Sequence, residues 1–151
     1  MSIWISRVLV MTHTGDDNKD RGDGVTVKIY NTKTGVVYLD LSDYGVGLVY
    51  QRGDDNGWDR PTAVPLPLDD AANIALWVEM NHDDGDWHAA FSLTGFMDNG
   101  SQLTLMRKTA YQSFGSGNSD AFQFPLTYRF ATERSLAQEA RVKFPEIFAR
   151  R

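Results

Sequence analysis

Asp23-Gly-Val-Thr-Val-Lys-Ile-Tyr-Asn31 sets the fold class. Val25, Val27 and Ile29 fall on one side of an extended chain, and Thr26, Lys28 and Tyr30 fall on the other. That is the period of a strand with one face buried. Asn31-Thr-Lys-Thr-Gly35 then reads as a hairpin connection, with Gly35 available where a positive φ is needed. Val37, Leu39 and Leu41 supply the returning strand.

The same alternation extends in both directions. Ile3 to Met11 is rich in β-branched residues, and its period slips between Ile5 and Val8, which marks a bulge. Ala63 to Leu68 carries Pro65 and Pro67 just after Pro61, so any strand there lies at an edge or is irregular. Ile74, Leu76, Val78 and Met80 alternate with Ala75, Trp77 and Glu79. Trp87, Ala89, Phe91 and Leu93 begin another strand, Leu103 to Arg107 a further one, and Phe122 to Phe130 has the strongest alternation in the chain. Ser113 to Asp120 reads as a loop. From Thr132 the period changes: Gly and Pro are absent up to Lys143, and Ser135 with Gln138 forms a capping box, so residues 132–144 are expected to be one short terminal helix. Seven to eight strands spaced near ten residues apart predict an all-β chain, a single antiparallel sandwich over residues 1–151 with that helix appended.

The bulk numbers agree with one domain and narrow the function. The chain has 151 residues, 42% of them apolar and 12% aromatic, which is ordinary globular composition. Cysteine is absent, which removes disulfides and thiolate metal sites and suits a reducing compartment. Arg7 interrupts the apolar start and no cleavage-site pattern follows it, so the expected location is cytoplasmic, with signal-independent export left open. Residues 1–128 hold 9 Lys and Arg against 17 Asp and Glu, and residues 129–151 hold 6 against 3. An acidic body with a basic tail argues against a broad nucleic-acid surface.

Three acidic loops stand out: Thr12 to Gly24, Arg52-Gly-Asp-Asp-Asn-Gly-Trp-Asp59, and Asn81 to Asp86. Calcium takes about six to eight oxygens, and loops supply them cheaply. Asp16, Asp17, Asp54, Asp55, Asp59, Asp83, Asp84 and Asp86 are the candidate ligands, with solvated Asp-rich turns as the alternative. Parity decides whether they meet. Each strand carries the chain to the opposite end of a sandwich, so if Ser42 to Gln51 is not a full strand, all three loops share one end. Gly45 and Gly47 weaken that stretch, and convergence is the expectation.

The order Thr14-Gly-Asp16, Asp23-Gly-Val-Thr-Val-Lys-Ile29, Tyr50-Gln-Arg-Gly-Asp54 and Asn81-His-Asp-Asp-Gly-Asp-Trp87 resembles the PLAT domain, a C2-like β-sandwich, over about residues 8–105. Arg21-Gly22 stands where that family usually has Gly-Thr, and the tail after Ser113 has no counterpart. The resemblance implies a noncatalytic module that binds membrane lipid or a partner protein, sometimes through calcium in the end loops, with Asp16, Asp54 and Asp83 as the ligands carried over.

Trp58, in the acidic loop beside Arg52, is a candidate for insertion into a lipid interface, against the alternative of a packed anchor. Trp4, Trp77, Tyr30 and Tyr50 are candidates for a sugar-stacking platform, which makes carbohydrate recognition, or a toxin-associated recognition subunit, the second functional expectation. The catalytic inventory is thin. His13, His82 and His88 are the only histidines, no nucleophile elbow or phosphate loop occurs, and His82 with His88 could flank at most a small hairpin metal site. A binding module is therefore expected, and no catalytic constellation is legible.

Overall fold

A computed structural model describes residues 3–81, 86–115 and 119–129. It is an antiparallel β-sandwich of two packed sheets. The first sheet runs β4 (Asp55–Pro67), β1 (Trp4–Thr14), β6 (Trp87–Phe96), β7 (Gln102–Met106), and β8 (Gln112–Phe114) pairs with the other half of β6. The second sheet runs β3 (Val37–Tyr44), β2 (Gly24–Asn31), β5 (Ile74–Asn81), β9 (Ala121–Pro125). Nine strands are described, against the seven to eight expected. The terminal helix expected over 132–144 lies outside the described residues, and the one helical element inside them is the short 3-10 segment Leu68–Asn73. Among the described residues no helix is long and apolar enough to cross a membrane.

The alternating residues point where their period says they should. Val25, Val27 and Ile29 of β2 and Ile74, Leu76, Val78 and Met80 of β5 are buried, and their intervening neighbours are not, apart from Ala75. From the other sheet, Val8 and Val10 of β1 and Ala89, Phe91 and Leu93 of β6 meet them in one hydrophobic cluster. The aromatic centre is Trp87, fully buried, with ring centroids of Phe114, Phe91 and Tyr50 at 5.5, 5.7 and 6.1 Å. Its indole N–H donates to the Thr14 hydroxyl at 3.1 Å, so the ring's one polar atom is satisfied in the core.

Three elements depart from the sequence reading, each for a physical reason. Residues 55–59 are not loop but the start of β4, a strand of 13 residues. β4 has a neighbour on one side only, so Pro61, Pro65 and Pro67 sacrifice no ladder bond between two partners, and Gly57 is tolerated. A Cβ at Gly57 would stand 2.5 Å from Met11 Sδ, which would have to move aside, and 3.3 Å from the Val10 carbonyl. The expected irregularity in β1 is present: between Ile5 and Arg7 the partner jumps from Leu66 to Pro61, leaving Thr62 to Pro65 bulged opposite Ser6. The Thr62 hydroxyl donates to the Ser6 carbonyl at 3.2 Å across that bulge. Gln112–Phe114 is a strand where a loop was expected, because Phe114 buries fully against Trp87 and Phe122. Conversely, β9 stops at Pro125, short of the full alternation to Phe130.

Replacing Trp87 with Ala removes the hub of this cluster and is expected to cost about 3–5 kcal/mol in urea unfolding. A loss under about 1 kcal/mol would show that the two sheets are held elsewhere.

Candidate functional site at the loop end

Ser42 to Gln51 adds no full strand. β3 ends at Tyr44, and the rest makes a single bridge between Tyr50 and Lys19. The loops after β1 and after β3 therefore meet at one end, beside the start of β6, and residues 82–85 of the third acidic loop lie outside the described residues. The backbones of the two loops and of the start of β6 are laced together. Thr14 N–H donates to the Asp54 carbonyl and Gly53 N–H to the Thr14 carbonyl, both at 2.9 Å. Gly15 N–H donates to the His88 carbonyl at 2.7 Å, and His88 N–H donates to the Asp17 carbonyl at 3.1 Å. Asp16 N–H donates to His88 Nδ1 at 2.8 Å. Gly15 has no substitute here, since a Cβ would stand 2.2 Å from that same imidazole nitrogen.

Four of the described candidate carboxylates have separate partners. Asp16 Oδ1 pairs with Arg52 at 3.2 Å, where both groups are exposed. Asp54 Oδ2 accepts the Gln51 N–H at 2.9 Å. Asp55 Oδ1 lies 2.7 Å from His13 Nδ1, and Asp59 Oδ2 lies 3.2 Å from Arg7. Asp17 contributes its carbonyl to the loop lacing, and Asp86 is half-buried. Asp83, Asp84 and His82 lie outside the described residues. Among the described residues no three His, Asp or Glu side chains stand where they could hold a metal ion together. A calcium site needs several oxygens turned toward one centre, whereas Asp16, Asp54, Asp55 and Asp59 are each turned toward a separate cation or N–H group.

The cation at this end belongs to the chain itself. Lys19 is fully buried. Its ammonium donates to the carbonyls of Asp23, Gly45 and Leu48, each at 2.8 Å, and of Asp20 at 3.0 Å. The Tyr50 ring centroid lies 4.7 Å from Nζ, within cation–π range. Burial pulls the Lys19 pKa below that of an ordinary lysine, and the negative charges of Asp23 and Asp20 pull it back up. Asp23 is buried as well, so one buried cation is balanced by one buried anion. Burial also raises the Tyr50 pKa, keeping that ring's hydroxyl neutral beside the ammonium.

This anchor fixes the loop 45–49. Gly45 and Gly47 both have positive φ, +77° and +87°. A side chain at Gly45 would in addition collide with the Tyr50 hydroxyl at 2.6 Å and approach Lys19 Cε at 3.1 Å. Gly47 N–H reaches the Arg21 carbonyl at 2.7 Å, and Leu48 N–H closes a turn onto the Gly45 carbonyl at 3.0 Å. With its polar groups turned inward, the loop turns three aliphatic side chains outward: Val46, Leu48 and Val49 are 56%, 59% and 40% exposed.

The aromatic candidates are dispersed. Trp58 lies in β4 and is only 7% exposed, packed edge-on to Tyr44 with centroids 6.1 Å apart, which is the anchor role and leaves no free ring for a lipid interface. Arg52 remains at the surface. Tyr50 is in the core, Trp4 is exposed on the first sheet, and Tyr30 and Trp77 lie on the second, so the four make no common platform. Tyr30 hydrogen-bonds to Gln123, and Trp77 lies beside Glu79. His88 stacks on Tyr111 with centroids 5.0 Å apart.

No protein-family model matches the chain, and no curated protein matches it. Geometry alone therefore ranks its parts. Sequence reasoning passed over Lys19 and the tip at 45–49. The available signal for the tip was three aliphatic residues set between glycines, Gly45-Val-Gly-Leu-Val49, where neither strand nor core needs them.

Lys19→Met keeps most of the side-chain volume and deletes the ammonium, leaving four inward carbonyls without their donor. We expect a loss of about 3 kcal/mol in stability and faster amide exchange over 45–50 than in β2 or β5. Unchanged exchange in the loop would show that the ammonium is not its anchor.

Proposed function

We propose that this chain acts as a binding module that recognises a partner protein through the loop end, with Val46, Leu48 and Val49 as the anchor. The observation that carries the reading is their exposure on a rigid frame. A mobile loop would fold such residues back, whereas the Lys19 clamp holds their backbone in place and spares the cost of ordering it on binding. The resemblance to PLAT domains, which bind through such end loops, supports the same use of this end.

Magnitude separates the two targets that the loop end could serve. Burying three half-exposed aliphatic side chains is worth on the order of 3 kcal/mol. A single myristoyl chain gives only marginal membrane attachment, and these residues offer less than that. The surroundings are also unfavourable for anionic lipid, since Asp16, Asp17, Asp20 and Asp54 line the same loops with Arg21 and Arg52 as the exposed cations between them and Lys19 buried. A protein cleft rimmed by Lys or Arg gains from both the apolar tip and the acidic collar. Calcium has no part in this reading, because Lys19 already supplies the cation that joins the loops.

A photoreactive benzoylphenylalanine at Val46 tests it, with the same group at Val64, an exposed residue of the β4 bulge, as the control. In extract of the source cells one discrete adduct is expected from position 46, absent from position 64 and lost on Leu48→Asp. Equal adducts from both positions, or none from 46, would overturn the proposal. Co-sedimentation with phosphatidylcholine vesicles, with and without phosphatidylserine and millimolar calcium, is expected to leave the protein in the supernatant. Pelleting that depends on Leu48 would instead make the target a membrane.

A further inference from the structure

The order of strands in the first sheet, β4–β1–β6–β7, lays a second set of polar residues across its outer face. Asp55 of β4 pairs directly with His13 of β1. Ser92 of β6 pairs with Met11, one step along the ladder from His13, which makes it a diagonal neighbour within reach of an imidazole. The side chains complete the connection: Asp55 Oδ1 is 2.7 Å from His13 Nδ1, and His13 Nε2 is 3.1 Å from Ser92 Oγ. Beyond them, Leu93 pairs with Met106, the last residue of β7, and Arg107 follows directly, at the end of β7 that lies toward Ser92. Arg107 is exposed and makes no ion pair among the described residues.

We infer that Ser92 is a nucleophile activated by His13 and Asp55, and that this face carries an acyl-transfer activity separate from the binding loop. A carboxylate only accepts, so in the neutral imidazole the proton sits on Nδ1, facing Asp55, and Nε2 is left as the acceptor for the serine hydroxyl. This is the division of roles in any serine–histidine–aspartate relay: carboxylate orients, imidazole takes the proton, hydroxyl attacks. The His13 side chain is 16% exposed, which shields the relay, whereas Asp55 is 61% exposed and its charge is softened by water. The relay is thus a weak one.

On a small carboxylic ester the step runs as follows. Ser92 Oγ bonds to the acyl carbon while its proton passes to His13 Nε2. The carbonyl electron pair moves onto oxygen, where the Arg107 guanidinium meets the negative charge. Collapse of the tetrahedral adduct expels the alcohol or phenol oxygen with the bonding pair, and the imidazolium returns the proton to it. Water, deprotonated by the same imidazole, then releases the acid and restores Ser92. The face is an open sheet with no enclosing cleft, so small activated esters are the class it would accept.

Two probes test the inference on the intact chain. A fluorophosphonate is expected to leave one adduct, located to Ser92 by mass spectrometry, and p-nitrophenyl acetate is expected to give a burst of phenolate that Ser92→Ala abolishes. His13→Gln should slow labelling about 100-fold, the low end of what a positioned base contributes. Asp55→Asn should slow it too, by leaving the imidazole in the wrong tautomer, and Arg107→Gln should slow acylation by p-nitrophenyl acetate. The wild-type rate is expected to depend on pH in a way that His13→Gln erases. A purely structural cross-strand ladder would lower the unfolding midpoint of these variants and leave no such pH profile. No adduct at Ser92, or labelling equally fast in His13→Gln and Asp55→Asn, would overturn the assignment.

Discussion

The loop end depends on one buried ammonium. Placing a lysine in a protein interior is costly unless its charge is balanced and each N–H is used. Lys19 meets both conditions, with Asp23 beside it and four carbonyls at 2.8–3.0 Å. The carbonyls come from two segments far apart in sequence, Asp20 and Asp23 on one side and Gly45 and Leu48 on the other. A chain without cysteine has few other ways to pin two polar loops that bury little apolar surface. The ammonium does what a calcium ion does in other loop-ended sandwiches: it draws carbonyl oxygens from separate loops to a common positive centre.

The strands were legible because their burial is one-sided. Where one face is covered, a one-residue slip would expose every apolar side chain, so the alternation of Val25 to Tyr30 or Ile74 to Met80 states the register outright. The shared end of the loops after β1 and β3 was legible too, through two glycines that weaken any strand at 45–47. The start of β4 was not legible. Asp55-Asn-Gly-Trp-Asp59 has the composition of a turn, and only the edge position of β4, a property of the whole sheet, lets it extend.

The candidate site was hidden for a different reason. Lys19 sits in Asp16-Asp-Asn-Lys-Asp-Arg21, a run that any sequence reading assigns to solvent, and its partners are backbone carbonyls, which have no sequence signature. The relay of Asp55, His13 and Ser92 is equally silent. Its members are separated by 42 and 79 residues in the hydrogen bonds they make, and they become neighbours only through strand order and register. Asp55 in addition looked like a metal ligand among other aspartates, whereas strand alternation turns it away from Asp54 and toward the imidazole.

These two features meet at a single joint. The last backbone bonds of the loop lacing run between Thr14 and residues 53 and 54, and the next pair along the same two strands is His13 with Asp55. β4 is an edge strand whose early ladder includes Gly57 and whose later half is interrupted by the bulge at 62–65, so its first residues rely on that lacing for their position. The lacing in turn is continuous with the segment clamped by Lys19, through Asn18 Oδ1 accepting the Arg52 N–H at 2.8 Å. Alignment of Asp55 with His13 is therefore a consequence of how well the loop end is tied. A sandwich whose cores and ladders were intact but whose ammonium clamp was lost would keep its fold, loosen first at the 45–48 loop, and pass that loosening on to the carboxylate of the relay.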